Sequence, residues 1–183
     1  MKNVILFFIV LLPFMAFSQE PLSYSEVIDV PNADKNELYI RGREWFNENF
    51  KSVNDVLQIN DKETGELVGK AYFQVTCEYE LMGKSVKVPA GVFFQISIWV
   101  KDGKYKYEFK DFNVPGSKDM SSIMIGIGTI TDSDVTEYKI KNIPEKRMNQ
   151  IYFSIKTNTV LRSKNLIESL KDKMSQKSKT TDW

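Results

Sequence analysis

Between residues 67 and 82 the side chains change character at every step, and no other segment of the chain restricts its fold so tightly. Leu67, Gly69, Ala71, Phe73, Val75, Cys77, Tyr79 and Leu81 share one face of an extended backbone. Val68, Lys70, Tyr72, Gln74, Thr76, Glu78, Glu80 and Met82 share the other. A period of two marks a strand with one face in the core, and it places Cys77 on the buried side.

Turn chemistry predicts the neighbours of this strand. A preceding strand at residues 56–59 leads into it through the polar turn Asp61-Lys62-Glu63-Thr64-Gly65. After it, Gly83-Lys84 taken as a two-residue turn pairs Met82 with Ser85, Leu81 with Val86 and Glu80 with Lys87, so that opposite charges meet. Asp102-Gly103 is a preferred type I′ sequence and joins strands at residues 93–101 and 104–112. Its register sets Val100 against Tyr105, Ile98 against Tyr107 and Ile96 against Phe109. The opposite face then carries Lys101 with Lys104, Trp99 with Lys106, Ser97 with Glu108 and Gln95 with Lys110. One apolar and one polar face describe an antiparallel sheet covered on a single side.

Helices flank these hairpins. A first strand at residues 24–30 stops at Pro31 and Asn32, and Asp34 with Glu37 forms the pattern of a capping box. Leu38, Gly42, Trp45, Phe46 and Asn49, with Tyr39 and Phe50 at the margin, then recur at helical spacing, opposite Lys35, Arg41, Glu44 and Glu48. Gly42 lies on the apolar face, where it lets the helix approach the sheet. Residues 115–145 are polar and glycine-bearing and are expected to form an irregular insertion, with one strand-like piece near residues 123–130. From Pro144 and Glu145 onward Met148, Tyr152, Ile155, Thr159, Leu166, Leu170 and Met174 keep helical spacing, with Thr157-Asn158-Thr159 as a weak stretch. Residues 178–183 are expected to fray. The predicted fold is α+β: a curved antiparallel sheet with an N-terminal helix and a long C-terminal helix on one face.

Composition bounds what such a domain can do. Met1-Lys2-Asn3, an uncharged apolar run over residues 4–17 and a polar exit at Ser18-Gln19-Glu20 have the order of a secretory signal, and the run is shorter than the roughly 20 residues of a permanent span. Cleavage is expected after Ser18, leaving one domain at residues 19–177, periplasmic or secreted and without stable membrane insertion. The whole chain has 25 Lys and Arg against 24 Asp and Glu. Losing Lys2 with the signal makes the mature chain formally neutral, which argues against nucleic acid as a partner, since such binding is driven by neutralising phosphates. There is no histidine and one cysteine, Cys77. The commonest general base is therefore missing, and no internal disulfide can form.

A family resemblance is carried by residues 26–31 (Glu-Val-Ile-Asp-Val-Pro), Asn36-Glu37-Leu38-Tyr39, Glu44-Trp45-Phe46, the Asp61 to Gly65 turn with Val68-Gly69-Lys70, and residues 100–105 (Val-Lys-Asp-Gly-Lys-Tyr). In this order they resemble domain of unknown function 4468, exported Bacteroidetes proteins with a TBP-like fold. The resemblance spans roughly residues 24–112. It implies a fold and a compartment but no established activity or site residues, and the name of a fold does not imply DNA binding.

No constellation of residues commits the chain to a chemistry, and no catalytic residue, metal or cofactor is expected. Cys77 lacks a histidine to activate it and reads as a structural thiol. Asp61 with Glu63, and Asp132 with Asp134, sit in turns without an EF-hand ligand loop. Gly126-Ile127-Gly128 lacks the third glycine and the Lys-Ser/Thr of phosphate loops. Lys104, Lys106 and Lys110 alternate with Tyr105, Tyr107 and Phe109, which sends cations and aromatics to opposite faces. Trp99 is the outlier, an aromatic on the wet face beside Lys106. The expectation is a non-enzymatic domain binding a protein or cell-envelope partner through Trp99, Tyr72, Phe93 and Lys106. The alternative is a carrier of a small apolar ligand in a cavity lined by Phe73, Ile98, Tyr107 and Leu170.

Overall fold

A computed structural model describes residues 19–116 and 126–176. The expected signal at residues 1–18, the start of the strand-like piece at residues 123–125 and the expected frayed tail lie outside the described residues. The elements run β1 (Tyr24–Asp29), α1 (Lys35–Asn49), α2 (Val53–Val56), β2 (Leu57–Asp61), β3 (Glu66–Leu81), β4 (Lys84–Lys101), β5 (Lys104–Val114), β6 (Gly128–Thr129) and α3 (Glu145–Ser175). The sheet order is β1-β5-β4-β3-β2, with the two-residue β6 beside the end of β5.

Alternation decides which face of the sheet is buried. Leu67, Ala71, Phe73, Val75 and Cys77 on β3 join Ile96, Ile98, Val100, Tyr105, Tyr107 and Phe109 in one core cluster with Trp45 and Phe46 of α1 and Ile155 and Leu170 of α3. The Asp102-Gly103 hairpin has the predicted register throughout, from Lys101 opposite Lys104 to Gln95 opposite Lys110. Beyond it a bulge intervenes. Asp111 takes a positive φ of 59°, and Phe93 pairs with Asn113. The extra residue reverses the alternation, which turns Phe112 and Val114 inward.

The β3–β4 turn differs from the expectation. Leu81 pairs with Lys84 and Glu78 with Lys87, so the turn residues are Met82 and Gly83 and not Gly83 and Lys84. Both have positive φ, 51° and 74°. A type I′ turn needs that sign at both central positions and accepts glycine best at the second. Moving the turn by one residue leaves the faces unchanged, and Lys87 meets Glu78 at 3.4 Å in place of Glu80.

Asp34 caps α1 by accepting the Glu37 N–H at 2.8 Å. The expected reciprocal half of the capping box gives way to an ion pair: the Glu37 carboxylate accepts from Arg41. Arg41, expected on the polar side, is 3% exposed. Its guanidinium crosses to α3 and donates to the Met174 carbonyl at 2.5 Å, where the helix C-terminus attracts a cation. Gly42 holds α1 against the sheet as expected, since a Cβ there would stand 2.9 Å from Leu67 Cδ1.

The single α3 helix runs through the stretch predicted to be weak. Asn158 donates its side-chain amide to the Thr76 carbonyl at 2.9 Å, and the Ser154 hydroxyl accepts the Glu78 N–H at 2.8 Å. These groups satisfy part of the β3 edge beyond the end of β2, an edge that would otherwise invite pairing. Residues 126–143 are largely irregular, yet Ile127 and Ile130 are buried, and Tyr152 donates to and accepts from Thr131 beside them.

Candidate functional site

The sheet face turned away from α1 and α3 exposes apolar side chains that the core does not use, among them Val27, Tyr72 and Phe93. Register builds this face row by row. Tyr72 of β3 lies opposite Phe93 of β4, their ring centroids 5.1 Å apart, and they are 45% and 47% exposed although aromatic. In a second row Glu66, Trp99, Lys106 and Val27 follow one another across β3, β4, β5 and β1. Val27 is 59% exposed and Trp99 half-buried.

The two rows are separate features. Five residues of β4 lie between Phe93 and Trp99, six steps or roughly 20 Å of strand. Gln95 and Ser97 fill the gap, and Ser97, expected on the wet face, is 1% exposed beneath its neighbours. Thus the structure pairs Tyr72 with Phe93 and Trp99 with Lys106 but does not bring all four together. The Lys106 ammonium lies 5.2 Å from the Trp99 ring centroid. The indole N–H donates to Glu66 Oε1 at 2.9 Å, a partner the sequence did not single out. Val27 was missed as well, because a lone valine in a short edge strand carries no signal of its own.

The remaining candidates have structural occupations. Cys77 is fully buried, and burial pushes its thiol up to about 11, so it is a protonated, weak nucleophile at neutral pH. Asp61 accepts from the Glu63 and Thr64 N–H groups, and hydrogen bonds, first of all from the Thr64 hydroxyl, hold its carboxyl below the usual range. The Asp132 to Asp134 turn does gather oxygen ligands, but the cation among them is Lys156. Its ammonium donates to the Asp132 and Ser133 carbonyls at 2.6 and 2.7 Å and to Asp134 Oδ1 at 2.9 Å. Among the described residues no group of three His, Cys, Asp or Glu is placed to hold a metal.

Phe73, Ile98, Tyr107 and Leu170 are 7%, 0%, 4% and 0% exposed, all within the core cluster. Phe73 packs on Phe94 with centroids 4.8 Å apart, and Tyr107 donates to Glu26 at 2.9 Å. Burial raises the Tyr107 hydroxyl above its usual pKa. Of the five surface clefts described, none is lined by these four residues.

Comparison with known proteins places this architecture. Residues 24–114 match the family model described as domain of unknown function (DUF4468) with TBP-like fold. The chain belongs to this family. A DUF4468 protein of Bacteroides ovatus has a similar crystal structure, with a TM-score of 0.61 at 12% identity over 87% of this chain and 89% of that one. A TBP-like protein of Parabacteroides distasonis has a TM-score of 0.55 at 14% identity, over 86% of this chain and 95% of its own. Likeness at such identity establishes the shared fold. No curated protein matches the chain. The DUF4468 match ends at Val114, the last residue of β5, so it takes in the whole open face except β6 and stops short of α3. Among the described residues no helix is long and apolar enough to cross a membrane.

Proposed function

We propose that this DUF4468 chain is an exported, non-catalytic domain that binds a protein or cell-envelope partner through its open sheet face. The observation that carries the reading is the Tyr72–Phe93 pair, two aromatic rings in contact with each other and nearly half exposed, on the face that neither α1 nor α3 covers. Aromatic side chains are enriched at protein interfaces, and their burial supplies much of the binding energy there. The absence of histidine from the chain and the raised pKa of its one thiol support a non-catalytic role.

Recovery of partners by the tagged protein tests the reading. Wild type is expected to retain a partner from an envelope extract and not from a cytosolic one. A Tyr72→Ala/Phe93→Ala variant is expected to lose at least about 2 kcal/mol of binding, roughly thirtyfold, while folding normally. Equal recovery by variant and wild type would remove the open face from the account.

A further inference from the structure

Where β1, β4 and β5 lie side by side at the end of the open face, Val27, Trp99, Lys101, Lys104, Tyr105 and Lys106 line a cleft of about 400 Å³. Its apolar and aromatic lining is Val27, Trp99 and Tyr105, and every charged group on its lining is a lysine. Lys101 and Lys104 face each other directly as the closing pair of the hairpin, with Lys106 beside them on β5. Like charges placed opposite one another destabilise a sheet. No carboxylate relieves them, since none of the three lysines forms an ion pair among the described residues, and Lys106 alone has a partner in the Trp99 ring.

The neighbouring acids are turned to other tasks or stand apart. Glu66 holds the Trp99 N–H, and Asp102 accepts the Lys35 backbone N–H at 2.8 Å. Asp29 lies opposite Lys104 across β1 and β5 but forms no ion pair with it. The result is a small apolar cleft rimmed by ammonium groups without carboxylate partners, on a chain with 25 Lys and Arg against 24 Asp and Glu overall.

We propose that this cleft takes an acidic, apolar segment of a partner protein, with an aromatic or aliphatic side chain against Trp99 and Val27 and flanking carboxylates on Lys101, Lys104 and Lys106. This rests on the reading of the open face as the binding surface and adds the chemistry of what binds. A flexible ammonium accepts a carboxylate from many directions, which suits a short peptide of loosely defined geometry. Nucleic acid fits less well: phosphate binding gains affinity from many cations along a track, and here three lysines surround a single pocket.

Titration monitored by amide and indole NMR tests the proposal with three probes: a blocked peptide EDFDE, its uncharged counterpart QNFNQ, and a single-stranded DNA oligonucleotide. EDFDE is expected to shift the Trp99 indole and the β4–β5 amides in a saturable way. A K101Q/K104Q/K106Q variant is expected to bind it about tenfold more weakly at low salt, three exposed charge pairs contributing a few tenths of a kcal/mol each. That variant removes a repulsion and is expected to fold at least as stably as wild type. Equal binding of QNFNQ, an unchanged affinity in the triple variant, or DNA binding as tight as the peptide would each overturn the proposal. Failure of EDFDE together with loss of partner recovery in Tyr72→Ala/Phe93→Ala would leave the open face standing and discard this cleft; unchanged recovery in that variant would discard the open face itself.

Discussion

Trp45→Ala is expected to lower the free energy of unfolding by about 3–5 kcal/mol, the range for truncating a large buried aromatic. Trp45 is fully buried, and its indole is where three elements meet. Its ring centroid lies 5.1 Å from Phe46 and 5.8 Å from Phe50 at the end of α1, and 6.1 Å from Phe109 on β5. Its N–H donates to the Ser169 hydroxyl of α3 at 2.9 Å. Truncation therefore leaves a cavity between α1, sheet and α3 and removes a hydrogen bond in the same place. Urea unfolding followed by circular dichroism checks this, with Trp45→Phe as an intermediate case that keeps most of the packing and loses the N–H. A loss below about 1 kcal/mol for Trp45→Ala is the size seen at surface positions and would mean that α1 does not dock as described.

Gly65→Val is expected to cost roughly 3 kcal/mol or more. Gly65 ends the Asp61 turn with a φ of +76°, and a Cβ there would stand 2.7 Å from the Val100 carbonyl oxygen. That oxygen belongs to backbone and has no flexible end to swing away. The same residue joins the turn to β4, accepting the Val100 N–H at 2.9 Å, so any shift that relieves the clash stretches this bond. Left-handed backbone costs a side-chain-bearing residue about 1–2 kcal/mol, and overpacking adds about 1–3 kcal/mol. Gly83→Ala separates the two contributions. Gly83 has a φ of +74°, but its Cβ would meet nothing within 4 Å, so it should show the conformational cost alone. Equal losses for Gly65→Ala and Gly83→Ala, measured in the same urea experiment, would show that the approach to Val100 is not tight.

The faces of the long strands were legible in the sequence because burial on one side of a sheet writes itself as alternation, and Asp102-Gly103 fixed the register of β4 and β5 through turn geometry. The β3–β4 register was off by one turn position because Met82 does not advertise a positive φ. Arg41 was placed on the wrong side of α1 because its partner, the Met174 carbonyl, is far away in the chain and belongs to a helix terminus. The Lys156 contacts with Asp132, Ser133 and Asp134 could not be foreseen for the same reason: the residues meet only through tertiary structure. Of the candidate surface, parity gave Trp99 beside Lys106 and set Tyr72 and Phe93 on the same face. It could not give the burial of Ser97, which depends on how the neighbouring side chains pack over it. The cleft at Trp99 was hidden further, since Val27 reaches it from β1 and only the β1–β5 pairing brings that strand alongside.

Photo-crosslinking from each side of the sheet tests the central claim most directly. A benzophenone amino acid placed at Phe93 samples the open face, and one placed at Leu161, 59% exposed on α3, samples the helical side. With the partner recovered from envelope extract present, the account predicts an adduct from position 93 and none from position 161. An adduct from position 161 alone would contradict it and move the binding surface to the helices.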